Sequence, residues 1–128
     1  METVQPMVSS GGSQAAMAAS EDVKVEKAEG ENAYTVGEIF EKKNDLDKQT
    51  VRVRGKIVKV SMGIMGKNWI HLQDGTGDAA GKTHDLVVTT MAEPEKGAVV
   101  VVEGTLNADR DFGSGYRYDA IIEDAEVK

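Results

Sequence analysis

The spacing of apolar and polar residues changes period near residue 50. Before it, Val36, Ile39, Phe40 and Leu46 recur at helical spacing and leave Glu38, Glu41, Lys42 and Asn44 for solvent. Thr35 and Glu38 have the spacing of a capping box, and Tyr34 is placed to pack on Ile39, so the pattern predicts a helix over 35–46. From Thr50 the period is two: Val51, Val53, Gly55 and Ile57 face one side, Arg52, Arg54, Lys56 and Val58 the other. Gly55 in a strand interior predicts a bulge or a sharp bend. After a glycine- and methionine-bearing loop over 61–66, a second strand over 68–73 points Ile70 and Leu72 inward and Trp69, His71 and Gln73 outward. Asp74-Gly75-Thr76-Gly77 reads as a turn. A third strand is expected over 85–90 and a fourth, apolar on both faces, over 98–102, with Gly104 ending or bending it. A glycine-bearing loop over 107–115 then leads to a last strand over 116–122, and Val127 is a final core contact.

Composition divides the chain. Residues 1–33 are rich in Ser, Gly, Ala and Glu and hold few large apolar side chains to offset the entropy of ordering them, which predicts a disordered acidic linker and one domain over 34–128. The net charge of −7 would ordinarily argue against a nucleic-acid partner, but residues 1–33 supply −4 of it, from six acidic residues and two lysines. Between Asp47 and Asp74 lie Lys48, Arg52, Arg54, Lys56, Lys59 and Lys67 with no acidic residue among them, so the first two strands are locally basic. There is no cysteine for a disulfide or a thiolate metal site. No apolar run approaches the roughly 20 residues that span a bilayer. The opening METVQPMVSSGGSQAAMAAS resembles the spacer left after an export signal or lipid-anchoring segment, so an exported, periplasmic location is expected over a cytoplasmic one.

Five short strands and a helix predict an all-β fold, a five-stranded Greek-key barrel of the OB type capped by the helix, since a sandwich usually needs about seven strands. Residues 51–57 (VRVRGKI), 71–77 (HLQDGTG) and 99–104 (VVVVEG) resemble, in order and spacing, the tRNA-anticodon-type OB family of nucleic-acid-binding domains. More closely, residues 64–77, 85–90 and 111–116 are similar to a group of exported bacterial OB proteins, called DNA-binding, whose genes lie near those of multihaem cytochromes. The resemblance implies an OB barrel, export and a nucleic-acid ligand.

Three constellations carry candidate chemistry. Arg52, Arg54, Lys56, Trp69 and His71 fall on the outward face of the first two strands, with Lys67 in the adjoining loop and Tyr116 or Tyr118 on the last strand. OB barrels bind single strands by stacking bases on aromatic rings along a positive groove, so these residues predict a site for single-stranded DNA or RNA, with Trp69 as the main stacking ring. The bland alternative has the basic residues only solvating a strand and Trp69 packed beneath a loop. Met62, Met65 and His71, with the Trp69 indole face to shield a bound cation, form the second set, a soft-metal alternative for Cu(I); methionine filling a barrel mouth is the commoner use. The third, Asp74 to Asp78, lacks the carboxylates and distal Glu of a calcium loop and is read as a turn. No Gly-x-Ser-x-Gly, phosphate loop or paired-acid motif surrounds His71 or His84, so no enzyme and no cofactor are expected. The expected protein is a monomeric binding module for single-stranded nucleic acid; the alternative is an exported accessory domain that meets an envelope protein or a soft metal.

Overall fold

A computed structural model describes residue 18 and residues 23–128. The predicted linker thus falls in part outside the described residues, and residues 23–33 run irregularly, with a turn over 30–33, against the rest of the chain: Val23, Ala28 and Ala33 are buried. The chain is mostly β. Two short helices, α1 (Val36–Glu41) and α2 (Lys43–Leu46), precede five strands, β1 (Thr50–Ile64), β2 (Lys67–Gln73), β3 (Leu86–Thr90), β4 (Val99–Asp111) and β5 (Arg117–Val127).

The single helix expected over 35–46 is therefore broken at Lys42, which has φ −107° and ψ 15°. Its start is as read. The Thr35 hydroxyl accepts from the Glu38 amide at 3.1 Å, and the Glu38 carboxylate accepts from the Thr35 amide at 2.9 Å. The Asp74-Gly75-Thr76-Gly77 segment completes this N-terminus. Asp74 Oδ2 accepts from the Val36 amide at 2.9 Å and Thr76 Oγ1 from the Gly37 amide at 2.8 Å, satisfying two of the donors that a helix start leaves free. Val36, Ile39 and Leu46 then enter the core.

The sheet closes in a ring in the order β1-β2-β3-β5-β4 and back to β1, every pair antiparallel except β3 with β5. β1 serves both of its neighbours in turn: residues Thr50 to Lys56 pair with β4, and Lys56 to Ile64 with β2. Gly55 sits at this handover. A Cβ there would lie 2.6 Å from Leu72 Cγ and 3.0 Å from the Gln73 carbonyl, so glycine is required for close approach of β2, and the register shifts come later, beyond Ile57.

β1, β4 and β5 run well past their predicted ends, β4 most of all. It does not end at Gly104 but runs on to Asp111, because Asn107, Ala108 and Arg110 pair with Ile121, Ala120 and Tyr118 of β5. A Cβ on Gly104 would stand 2.7 Å from the Glu123 carbonyl, and the register shifts between Glu103 and Thr105, so this glycine admits β5 rather than stopping the strand. Inside the ring, Val51, Val53, Ile57, Ile70, Leu72, Leu86, Val88, Val102, Leu106 and Ile122 make one core.

Candidate functional site

Outside the ring, β2 is as buried as inside it. Trp69, expected as an open stacking ring, is 1 % exposed. Phe112, just beyond β4, meets its ring edge-on at 5.3 Å, and Tyr118 lies tilted at 5.8 Å. Phe112 and Tyr118 touch edge-on at 5.9 Å, and Val87 and Ile121 complete the cluster. The indole Nε1 donates to the Ile64 carbonyl at 2.7 Å, so Trp69 has both its apolar surface and its polar handle satisfied internally. Tyr118 is buried too. Burial pushes its phenol well above the ordinary value, and its hydroxyl has no hydrogen-bond partner among the described residues. Phe112, Tyr116 and Ile64 form the partly open edge.

Two cations stand over that edge. The Arg110 guanidinium lies 4.1 Å from the centre of the Phe112 ring and Lys67 Nζ 5.9 Å from it. Both also face Glu123, Arg110 Nε at 3.0 Å and Lys67 Nζ at 4.0 Å, while Asn107 Nδ2 donates to the same carboxylate at 2.6 Å. Phe112 and Arg110 escaped the sequence reading because the expected loop over 107–115 hid the strand that carries Arg110.

His71 is the second correction. Expected on the outer binding face, it is fully buried, with Nδ1 2.6 Å from Asp85 Oδ2. Gln73 Nε2 donates to the other oxygen of Asp85 at 3.0 Å and to the Ala18 carbonyl at 3.1 Å. His71, Gln73 and Asp85 thus satisfy one another on the covered face, where strict alternation predicted solvent. His71 Nε2 has no hydrogen-bond partner among the described residues. His84, expected partly exposed, is also buried. The pairing of His71 with Asp85 had no signal in the sequence, since it depends on β2–β3 register.

Arg52 and Arg54 lie elsewhere, under the N-terminal segment. Arg52 Nη1 donates to the Glu29 carbonyl at 2.9 Å, and its Nη2 is 3.4 Å from Glu103. Arg54 Nη1 donates to the Lys27 carbonyl at 3.3 Å. Asn32, hydrogen-bonded at 3.2 Å, holds the Glu103 carboxyl below its usual range, with Arg52 adding to the effect. Backbone bonds from Arg52 N to the Asn32 carbonyl, 2.8 Å, and from Tyr34 N to the Arg52 carbonyl, 2.9 Å, seat this segment beside β1. Lys56, half-buried, occupies the handover where β1 leaves β4 for β2.

The eight predicted binding residues therefore do not make one surface. Lys67, Trp69, Tyr116 and Tyr118 gather at the rim between the β1–β2 hairpin and the β4–β5 loop; Arg52 and Arg54 face the N-terminal segment; His71 is interior. The soft-metal set is likewise split. Met62 and Met65 are 51 % and 48 % exposed at the hairpin tip, whereas His71, opposite Lys59, is buried further down the ladder. Among the described residues no group of three His, Asp or Glu side chains is placed to hold a metal. Among the described residues no helix is long and apolar enough to cross a membrane. Comparison with protein families, curated proteins and solved structures found no match for this chain.

Proposed function

We propose that the ring is a Greek-key barrel of the OB type, that it is a non-enzymatic binding module, and that it holds single-stranded nucleic acid weakly at the rim between the β1–β2 hairpin and the β4–β5 loop. Closure of five strands with β3 and β5 parallel supports the OB reading, and that fold binds oligonucleotides between these two connections. The carrying observation is Phe112: a partly exposed ring beneath Arg110 and Lys67, with Tyr116 beside it. Such a platform offers a base one aromatic face and its phosphate a nearby cation. Trp69 and Tyr118 act as its support, not as its stacking surface. Glu123 tempers both cations, so affinity is weak and falls only gently with salt. Titration of a fluorescent oligonucleotide at low salt tests this. Loss of about one base stack in Phe112→Ala weakens binding roughly tenfold; wild-type protein that binds none sinks the assignment.

A second reading, a protein-binding accessory domain in the cell envelope, is favoured by Met62 and Met65, which present an exposed, adaptable apolar tip. Secretion of the full-length gene product to the periplasm, with a partner whose capture Met62→Asp and Met65→Asp abolish, is the outcome that reading requires.

A further inference from the structure

The N-terminal segment spans an open cleft rather than sealing it. Ala28 and Glu29 on one side, and Arg52, Arg54, Val101, Glu103 and Lys128 on the other, line a space of about 340 Å³. Three cations enter this lining against two carboxylates. Arg52 is already engaged by Glu103 and by the Glu29 carbonyl. Arg54 reaches, among the described residues, only the Lys27 carbonyl at 3.3 Å, a long and easily exchanged bond. Lys128 Nζ is 4.0 Å from an exposed Glu126. A guanidinium with spare donors beside an ammonium is the donor set that recognises a phosphate group.

The segment above the cleft is built to lift. Its ends are fixed: the Val25 amide donates to the Asp74 carbonyl at 3.1 Å, and Asn32 to Tyr34 are hydrogen-bonded along Arg52. Between them, its contacts include the two arginine bonds to carbonyls, the buried Ala28 methyl, a half-exposed Lys27–Glu38 pair at 3.0 Å, and the same Lys27 ammonium 6.0 Å over the Tyr34 ring. Gly30, with φ +124°, provides a backbone position where the chain turns without strain. Few apolar contacts and exposed polar bonds mark a locally labile stretch.

We propose that this cleft is a phosphate-binding site in which Arg54 and Lys128 hold the anion, and that residues 26–30 swing outward as the phosphate takes over Arg54 from the Lys27 carbonyl. The site is separate from the Phe112 rim and does not depend on it.

Pyrophosphate is the probe. Isothermal titration with the full chain gives binding that falls roughly tenfold in Arg54→Gln and in Lys128→Gln but is unchanged in Phe112→Ala, and saturating pyrophosphate speeds tryptic cleavage after Lys27 several-fold. No pyrophosphate binding, binding insensitive to Arg54→Gln, or an unaltered cleavage rate overturns the proposal. Because Phe112→Ala is the variant that tests the rim, failure at the rim leaves this site standing and failure here leaves the rim standing. An oligonucleotide that displaces pyrophosphate identifies a phosphodiester backbone as the source of the anion; one that does not identifies a small phosphate compound.

Discussion

Asp85 holds two buried side chains at once, His71 through Oδ2 and Gln73 through Oδ1. Removing it takes from the His71 imidazole its partner and from Gln73 one of its acceptors, and a buried polar group left unsatisfied costs about 1–3 kcal/mol. Asp85→Ala is therefore expected to lower the urea midpoint severely, whereas the double variant with His71→Leu recovers part of the loss because the orphaned imidazole is gone; a single variant as stable as wild type contradicts this account. Trp69 belongs to the same scale. Its burial among Phe112, Tyr118, Val87 and Ile121 makes Trp69→Ala a cavity mutation of about 3–5 kcal/mol, so weakened oligonucleotide binding in that variant reports on folding first. Phe112→Ala, at the partly open edge, is the cleaner probe.

Among the elements, β1 and the start of α1 are the most sharply specified. At Gly55 an added methyl would meet the branch of Leu72 and the Gln73 carbonyl, both fixed, and Gly55→Ala is expected to cost about 1–3 kcal/mol in chemical denaturation. At the helix start, Thr35→Ala removes one half of the capping box and costs about 1 kcal/mol. The other half is pH-dependent. The Thr35 amide, and after it Lys27, hold the Glu38 carboxyl below its ordinary value of 4.5. A depressed carboxylate stabilises the fold above the unfolded-chain pKa and ceases to do so as pH falls through the folded one. The stability difference between wild type and Glu38→Gln is thus constant near neutrality and shrinks below about pH 4.5, which paired denaturation curves at pH 7 and pH 3.5 measure.

These two elements were legible because their signals are local: Thr35 and Glu38 lie within one turn, and Val51, Val53 and Ile57 alternate without interruption. The extension of β4 was not, since it is decided by distant pairing with β5, and nothing in the structure explains the break at Lys42. The same limit applied to the site. Period two placed Trp69 and His71 correctly on the face opposite Ile70 and Leu72, but whether that face meets water depends on Phe112, Tyr118 and Asp85. Alternation gives direction, and only the tertiary fold gives cover.

For the whole molecule, the cations nearest the candidate sites are shared with acids: Arg52 with Glu103, Lys43 with Asp109, Arg117 with Asp109 and Asp119, Arg110 and Lys67 with Glu123. Such pairs at the surface add little stability, each about 0–1 kcal/mol, but they blunt the positive field. Oligonucleotide affinity is therefore expected to fall with salt at a shallow logarithmic slope, about −1 to −2, as for two or so phosphates neutralised. A much steeper slope would mean that a more extended basic surface is used.

The parallel contact of β3 with β5 sets when this chain can fold. Thr90 reaches the Ala125 carbonyl across 35 residues of sequence, and β5 fills the gap between β3 and β4 that completes the ring. Loop closure precedes that reward, which slows folding. During synthesis, a nascent chain that has not yet delivered Arg117–Val127 exposes the hydrogen-bonding edges of β3 and β4 at once, so the ribosome-bound intermediate is the species most prone to aggregate.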